Sequence, residues 1–452
     1  MTLSGRPAQV VAGSLAVVAL VLASASAAAF SGGSGVRPHD VRLSAVAGAP
    51  VAARAAATWC GTPSQADRRP NVIAGHPVKW IYALPSDGAD ALGTYASAMQ
   101  TDAEAIDAWW RSQDPTRVPR NDLAQFTCGP QLDVAIVRFP QPGQQLAGGG
   151  RFAVMANGLQ AGGFGSSFTK YVVYYDGPVS DDQICGQGGS DRTGFGIAVV
   201  YTRACPGVSA AAVAAHELAH SFGAVASGAP NECIGENDGH VCDDERDLLY
   251  PTIDDSPLEA KLLDVGRDDY YGHGGSWTNT RNAAWLVQLD GQVPFPVTLS
   301  GPGGVSADIP GLDCAATCTT TWNTGTRLTL TARPRQGAKL VRWSGACTGA
   351  AACNVTVGQA TTLSALFAPA SYRVSVRVTG QGSVRSGRAG ITCRPRCAST
   401  FPSHVPLRLT AKPAEGWRFR AWAGTCRGAR LTCTVPMTSA AQARATFVRA
   451  RR

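Results

Sequence analysis

Four cysteines and one tryptophan in the last third of this 452-residue chain recur in the same order about 80 residues later. The first set is Cys314, Cys318, Trp343, Cys347 and Cys353, and the second is Cys393, Cys397, Trp422, Cys426 and Cys433. The flanking sequence agrees, since "RLTLTARPRQGAKLVRWSGACTG" (327–349) is matched by "PLRLTAKPAEGWRFRAWAGTCRG" (406–428). Self-similarity at a fixed period indicates tandem copies of one unit. The chain therefore ends in two small β-rich modules, over 296–369 and 370–450, each held by four cysteines.

The first 29 residues have the order of a secretory signal peptide. One arginine precedes an apolar run from Val10 to Leu22, and small residues such as Ala25-Ser26-Ala27 follow. An uncleaved membrane anchor is the alternative, because the apolar run is just long enough to span a bilayer. The small-residue tail favours cleavage, so we expect a secreted protein.

The chain has 14 cysteines, and an even number in an exported protein predicts disulfides. Six of them precede the repeats, and their spacing suggests three pairs: Cys185 with Cys205, Cys233 with Cys242, and Cys60 with Cys128. Spacing alone does not fix connectivity, so these pairs stand as expectations.

Between the signal and the repeats, the sequence predicts a linker and then one folded domain. Residues 30–57 are small and polar without lasting periodicity, which predicts a disordered linker. Over 58–292, strand-like and helix-like patterns alternate. Strands are expected at 78–85, 132–140, 170–177 and 196–202, and helices at 91–113 and between Ser209 and Gly223. This alternation predicts an α/β layer domain.

The second of these helices carries the sequence "HELAHSFG", residues 216–223. Two histidines at i and i+4 lie on the same helix face one turn apart, so His216 and His220 can bind one ion. Glu217 lies between them, where it can take a proton from water on a zinc ion and act as general base. The motif therefore predicts a Zn²⁺ site with hydrolytic chemistry.

This segment resembles the metzincin clan of zinc metallopeptidases, whose pattern is His-Glu-x-x-His-x-x-Gly-x-x-His followed by a methionine-containing turn. His216, Glu217, His220 and Gly223 match the pattern, but Ala226 stands where the third histidine is expected. In the later segment "DERDLLYPT" (244–252), Leu249 stands at the place of the methionine. Leucine can supply the same apolar floor beneath a metal. The resemblance implies a metzincin-like α/β protease fold.

The third zinc ligand must come from elsewhere, because catalytic zinc sites usually have three protein ligands and an open position. His240 is the first choice, as the only histidine between the helix and the turn, and Asp243 is the substitute. Asp244 also lies in this segment. A Cys233–Cys242 disulfide would fix His240 beside the bridge, whereas ligation by a free Cys242 thiolate is disfavoured in an exported protein.

Other polar residues near this segment offer further readings. His273 is an alternative zinc ligand, and Tyr270 and Tyr271 are candidate hydrogen-bond donors to an oxyanion. The simpler interpretation is that these three residues are polar surface residues without a role in the site. Asp238, with Asp243 and Asp244, lacks the regular spacing of a calcium loop, so we do not predict calcium.

The two C-terminal modules resemble the bacterial repeats related to the internalin B-repeat, on the two matching segments quoted above. The resemblance implies a β-grasp-like fold and an accessory role without chemistry of its own. Trp343 and Trp422 occupy the same place in both copies, which favours a core position over a ligand-stacking platform.

Charge is distributed unevenly along the chain. Residues 300–452 hold 21 Lys or Arg and 3 Asp or Glu, a net charge of +18, whereas residues 1–299 carry −10. A basic array of this kind attracts polyanions, although the arginines can also serve only to solubilise a small β domain. We expect an anionic cell-envelope polymer as the partner of the repeats and no nucleic acid.

These observations predict a secreted zinc-dependent endopeptidase that hydrolyses a peptide or protein substrate. The alternative is an adhesion or binding protein whose zinc domain no longer cuts. Ala226 and Leu249 favour the alternative, and Glu217 favours the enzyme, because a structural zinc site has no use for a general base.

Overall fold

The computed structural model describes residues 35–44, 58–67, 74–225, 227–388 and 390–451. The expected signal peptide (1–29) and Ala226 lie outside the described residues. The part of the chain ahead of the two repeats is called the front domain below.

The front domain is built around one large β-sheet. Its strands are β1 (His39–Leu43), β2 (Val78–Leu84), β3 (Arg117–Pro119), β4 (Leu123–Phe126), β5 (Gly129–Leu132), β6 (Ala135–Arg138), β7 (Lys170–Tyr175), β8 (Ile184–Ser190), β9 (Gly196–Tyr201), β10 (Thr252–Ile253) and β11 (Leu286–Gln288). Its helices are α1 (Leu92–Gln113), α2 (Gly143–Leu146), α3 (Arg151–Ala161) and α4 (Ala210–Ser221), with 3₁₀ turns at Gly235–Asn237, Leu258–Ala260 and Thr280–Asn282. Seven strands form the sheet, in the order β10-β1-β8-β9-β7-β2-β6.

The centre of this sheet is parallel and one end is mixed. Strands β9, β7, β2 and β6 are parallel neighbours, while β8 pairs antiparallel with β9. Every residue of β2, β7 and β9 is buried, as expected for parallel strands covered on both faces. The strands expected at 78–85, 170–177 and 196–202 are confirmed, and so is the helix at 91–113. The strand expected at 132–140 is confirmed as the shorter β6 (Ala135–Arg138), while Leu132 is the last residue of the separate strand β5.

The linker expected over 30–57 is contradicted at residues 35–44, which include β1. This strand pairs antiparallel with β8 and parallel with β10, and Val41 is fully buried. The partners of β1 lie about 140 to 210 residues away along the chain, so local composition gave no sign of the pairing. The front domain therefore begins before residue 58.

Helix α4 begins and ends as the sequence indicates. The Ser209 hydroxyl accepts a hydrogen bond from the Ala212 N–H and caps the N-terminus, and Gly223 has a φ of +93° just beyond the C-terminus. All residues from Ala211 to Ser221 are buried, because the helix packs on β8 and β9 and against α1. Small alanines allow this close packing. No helix in the described ranges is long and apolar enough to cross a membrane.

Each repeat consists of two four-stranded sheets. Repeat 1 has β12 (Gln292–Ser300), β13 (Gly303–Ala307), β14 (Asp313–Cys314), β15 (Cys318–Asn323), β16 (Arg327–Pro334), β17 (Ala338–Gly345), β18 (Cys353–Thr356) and β19 (Leu363–Pro369). Repeat 2 has β20 (Ser371–Thr379), β21 (Gly382–Ser386), β22 (Thr392–Cys393), β23 (Arg396–Pro402), β24 (Leu407–Pro413), β25 (Trp417–Gly424), β26 (Thr432–Val435) and β27 (Ala441–Arg449). The sheet orders are β15-β12-β19-β17 and β14-β13-β16-β18 in repeat 1, and β23-β20-β27-β25 and β22-β21-β24-β26 in repeat 2.

The prediction of β-rich, disulfide-bonded repeats is confirmed, but its β-grasp-like detail is wrong. A β-grasp packs a helix across one sheet, whereas the described residues of both repeats contain two sheets and no helix. The apolar residues alternate along the strands, so two sheets can bury their inner faces against each other.

Seven disulfides link all the described cysteines. In the front domain they join Cys60–Cys128, Cys185–Cys205 and Cys233–Cys242, as the spacing suggested, and in the repeats they join Cys314–Cys318, Cys347–Cys353, Cys393–Cys397 and Cys426–Cys433. Trp343 and Trp422 are buried, and their indole N–H groups donate to the carbonyls of Ala351 and Arg430. Both tryptophans are therefore core residues, as predicted.

Candidate metal centre

Three histidines meet at one point in the front domain. His216 and His220 lie one turn apart on α4, and His240 reaches them from the loop between the helix and β10. One ring nitrogen from each lies within 4.8 Å of the other two, and the Nε2 atoms of His216 and His220 are 3.1 Å apart. Two nitrogens on a tetrahedral zinc, with bonds of about 2.0–2.1 Å, are separated by roughly 3.3 Å. The spacing therefore fits a zinc ion.

Hydrogen bonds to carbonyls fix the tautomers of two of these rings. Nδ1 of His216 donates to the Leu248 carbonyl at 2.6 Å, and Nδ1 of His240 donates to the Asn237 carbonyl at 3.2 Å, because a carbonyl oxygen can only accept. Both Nε2 atoms therefore carry a free lone pair. Nε2 of His240 is buried and has no hydrogen-bond partner, which is costly unless a ligand occupies the space.

Burial keeps the three rings neutral. His216, His220 and His240 are 1%, 2% and 3% exposed. Burial lowers the pKa of His216 and His220 well below the usual value, and it lowers the pKa of His240 to about 4. Metal binding needs neutral imidazole, so this part of the chain presents the required protonation state at neutral pH.

A disulfide closes the loop that carries His240. Cys233 is bonded to Cys242, the Cys233 N–H donates to the His240 carbonyl at 2.7 Å, and the Cys242 N–H donates to the Asn231 carbonyl at 3.0 Å. The disulfide and these two hydrogen bonds therefore fix the backbone of His240 within a short closed loop. Ligation by a free Cys242 thiolate, considered from the sequence, is excluded because this sulfur is in the disulfide.

Residues 244–252, at the place of the methionine turn, hold the ring of His216 through a hydrogen bond. Leu249 is fully buried, and the preceding residue, Leu248, provides the carbonyl that accepts from His216. The Asp247 carboxylate accepts from the Leu249 N–H at 2.7 Å and from the Tyr270 hydroxyl at 2.8 Å. A buried hydrogen-bond network therefore fixes the turn on which one histidine depends.

Glu217 is fully buried, and its carboxylate lies against the Val41 backbone without a well-formed hydrogen bond to either oxygen. A side-chain carbon on Gly186 or Gly188 of β8 would come within 2.7 Å of these oxygens. Burial, with Asp40 nearby, raises the pKa of Glu217 well above its usual value. A carboxyl group in such surroundings holds a proton readily, as an acid–base residue must.

The carboxylates considered as ligands do not join the histidine group. Asp243 is exposed, and Asp244 forms a close ion pair with Arg246. Another acidic group, Asp264 with Asp268 and Asp269, is explained by local hydrogen bonds, because Asp264 accepts backbone N–H groups from both of the others. The side chains of Asp244 and Asp264 therefore stabilise the turns in which they lie.

The downstream candidates are also placed elsewhere. His273 is half-buried, stacks on Trp277, and contacts the Thr278 carbonyl through Nε2. Tyr270 and Tyr271 are fully buried, so the expectation that they are surface residues is wrong. Their hydroxyls donate to Asp247 and Asp114, so both tyrosines support the fold around the turn.

One residue at the site was missed from the sequence. The His39 ring stacks on His220 with centroids 4.6 Å apart and lies edge-on to His240 at 6.0 Å. Its Nδ1 atom is 3.2 Å from the Asp238 carbonyl, and a side chain on Gly239 would overlap the ring. Its position follows from the pairing of β1 with β8, which no local pattern indicates.

Comparison with known proteins gives little for the front domain. No curated protein matches the chain. Wild-type OgpA from Akkermansia muciniphila is 10% identical, over 77% of this chain and 92% of its own, with a TM-score of 0.26. The major pilin T-13 from Streptococcus pyogenes is 11% identical, over 35% of this chain and 97% of its own, with a TM-score of 0.18. At these TM-scores neither likeness establishes a shared fold.

The C-terminal region is identified by its family. Residues 310–371 and 372–451 both match the model described as the divergent InlB B-repeat domain. The two matches contain the disulfides of the two repeats and the repeated sequence, although the first match leaves out β12 and β13. The last third of this chain therefore consists of two divergent InlB B-repeat domains.

Proposed function

We propose that the front domain is a zinc-dependent endopeptidase of metzincin-like fold. The observation that carries this proposal is the group formed by His216, His220 and His240, with Glu217 between the first two. Three neutral histidines leave one position of a tetrahedral zinc open, which is typical of catalytic sites and not of structural ones.

The residues of this chain would divide the work as follows. The three histidines would hold zinc, which when bound supplies Lewis acidity to polarise the scissile carbonyl and to acidify water. Glu217 takes the proton of the attacking water and later gives it to the leaving amine. The Leu248 carbonyl keeps His216 in the tautomer that faces the metal.

The protein would act outside the cytoplasm. Seven disulfides are typical of proteins that mature in an oxidising compartment. The substrate class that suits this chemistry is a peptide or a protein. The competing function is adhesion through the repeats, with a zinc domain that does not cut.

Metal content and hydrolysis distinguish the two functions. We expect one zinc per secreted chain and cleavage of an unstructured protein. Glu217→Gln should keep the zinc and lower turnover by about 10²–10⁴-fold, because only the general base is lost. Glu236→Gln, an exposed glutamate in the same region, is the matched control and should change neither quantity. A zinc-loaded chain that cuts nothing, either intact or after limited proteolysis between residues 44 and 58, would favour the adhesion protein.

A further inference from the structure

A row of three arginines crosses the outer face of one sheet in repeat 2. Arg377 of β20 lies directly opposite Arg396 of β23 on one side and Arg444 of β27 on the other. All three are exposed, and Arg373, four residues before Arg377 on the same face of β20, is exposed as well. The four arginines line one groove of about 700 Å³, together with Ser375.

Like charges opposite each other on neighbouring strands repel, so such a row is unfavourable without a counter-charge. Neighbouring strands are about 4.8 Å apart, well inside the Debye length of about 8 Å. In the described part of the chain, no ion pair within 4 Å involves these four arginines. Repeat 2 has only one acidic residue, Glu415. The groove therefore presents uncompensated positive charge.

Repeat 1 has the same sheet without the charge. Thr298 corresponds to Arg377 and pairs with Ser364, which corresponds to Arg444. Thr317, which precedes Cys318, corresponds to Arg396, which precedes Cys397. The fold of the repeat therefore does not require arginine at these places.

We propose that this arginine groove binds a polymer whose backbone carries phosphodiester groups, such as a polyol phosphate of a cell envelope. A phosphate offers oxygens on several sides and pairs with guanidinium groups in a bidentate manner. A nucleic acid is disfavoured, because the residues that line the groove include no aromatic side chain for base stacking.

Binding of the full chain to synthetic poly(glycerol phosphate) tests this proposal. Arg377→Thr, Arg396→Thr and Arg444→Ser together install the residues of repeat 1 and should raise the Kd at least tenfold. The slope of log K against log salt should fall by about two to three, at ~0.7–0.9 per lost phosphate contact. The matched control removes three exposed arginines from the other sheet and its surroundings: Arg385→Thr, Arg408→Thr and Arg427→Ser.

Two results would overturn the proposal. The first is an equal loss of binding in the control, which would mean that only total charge matters. The second is tighter binding of single-stranded DNA than of poly(glycerol phosphate) by the wild-type chain, which would assign the groove to another class of polymer.

A second, independent observation concerns β1 and rests on the proposed peptidase function. This strand covers the histidine group and the general base together. His39 stacks on His220, and the next residues, Asp40 and Val41, lie beside Glu217. A side chain on Gly189 would overlap the carbonyl oxygen of Arg37. The segment 35–44 can therefore lie against β8 only because residue 189 is glycine.

Backbone pairing and the fully buried side chain of Val41 hold β1 in place. It bonds to β8 on one side and to the short β10 on the other, as an added extended peptide would. Its polar side-chain contacts to other segments are few: Gln187 donates to Asp40 at 2.6 Å, Arg42 reaches Asp181 at 3.4 Å, and His39 Nδ1 lies 3.2 Å from the Asp238 carbonyl. Another extended chain could replace the strand in the same place, because it could supply the same backbone pairing and an apolar side chain at the position of Val41.

We infer that residues 35–44 occupy the cleft in which an extended peptide would lie, so that the front domain blocks its own site. His39 then covers the metal position, and β8 has no free edge beside Glu217. Activity would require displacement of this segment, or cleavage on its C-terminal side followed by its release.

The test uses a full chain with a recognition sequence for a site-specific protease placed within residues 45–57. A tethered segment has an effective concentration of about 1 mM, so cutting at about 1 μM protein should raise hydrolysis by up to ~10³-fold. In parallel, a labelled synthetic peptide of residues 35–44 should bind the cut, metal-free protein, and the same peptide with Val41→Asp should not.

Each outcome has a distinct meaning. Equal hydrolysis before and after the cut, or no peptide binding to the folded, cut protein, would overturn the inference. Peptide binding without hydrolysis by any zinc-loaded form would support the occupied cleft and refute the proposed peptidase function.

Discussion

Replacing His240 by alanine should abolish tight zinc binding. The ring has no hydrogen-bond partner on its buried Nε2 atom, and it faces His216 and His220 from a separate loop. Without it, only two ligands on one helix remain, and water must supply the others. No nearby carboxylate can replace the ring, because Asp243 is exposed and lies outside the group.

The size of the effect follows from the number of ligands. Four-ligand structural zinc sites are worth about 10–16 kcal/mol at pH 7, or roughly 2.5–4 kcal/mol for each ligand. Loss of one ligand should therefore raise the zinc Kd by about 10²–10³-fold. The rest of the front domain should fold as before, because the Cys233–Cys242 ring does not depend on the imidazole.

Thermal unfolding with added zinc measures this difference. At a zinc concentration of 100 times the wild-type Kd, binding should stabilise the wild type by about 2.7 kcal/mol. For a domain of this size the expected increase in Tm is about 5–11 °C. The His240→Ala protein at the same zinc concentration should gain no more than about 0.4 kcal/mol, or about 1 °C.

His273→Ala is the control, because this histidine lies outside the group and contacts the Thr278 carbonyl. It should show the full wild-type response to zinc. If His240→Ala keeps that response as well, the ring is not a ligand. If Asp243→Ala alone loses it, the carboxylate holds the metal and the reasoning from burial is refuted.

Three further predictions concern the supports of the site. Removing the Cys233–Cys242 bridge with serines should weaken zinc binding by about 10–100-fold, because closing a loop of this length is worth about 2.7 kcal/mol. Burial raises the pKa of Asp247 to about 7, so the folded state binds its proton more tightly than the unfolded state does. The free energy of unfolding should thus fall from pH 4 to pH 7 by about 1–4 kcal/mol, and less in Asp247→Asn. Gly188→Ala should cost about 1–3 kcal/mol and weaken zinc binding, because the added carbon meets the Glu217 backbone.

Matched changes elsewhere separate these effects from general damage. Removing Cys347–Cys353 should destabilise repeat 1 and leave zinc affinity unchanged. Gly149→Ala adds a carbon where nothing lies within 4 Å, so it should be close to neutral. A flat difference between wild type and Asp247→Asn across pH 4–7 in chemical unfolding would refute the assigned shift.

Much of the molecule could be predicted from local sequence. The tandem repeats follow from five recurring residues, and the strands β2, β7 and β9 follow from continuous apolar runs. Helix α4 follows from its cap and its spacing. His240 could be chosen because it is the one histidine between the helix and the turn, and the structure brings it to the other two.

What could not be predicted depends on contacts between distant parts of the chain. The arrangement of each repeat as two sheets follows from parallel pairs such as β12 with β19, which join the two ends of the unit. Alternating apolar residues indicate strands but do not say how many sheets share them. For the same reason β1 could not be predicted. Its five residues form a strand because they pair with β8 and β10, which are distant in the sequence.

Strand β8 shows why the sequence was least informative where the site lies. Its sequence, "ICGQGGS", has a low strand propensity because of three glycines, and no strand was expected there. The structure explains each glycine by a close approach: Gly186 and Gly188 face Glu217, and Gly189 faces Arg37 of the covering segment. The three glycines lower the strand propensity of β8, but they allow helix α4 and the extended segment 35–44 to approach this strand closely. Such a conflict between local preference and the observed strand is expected at a functional site, and it supports the assignment of β8 to the cleft.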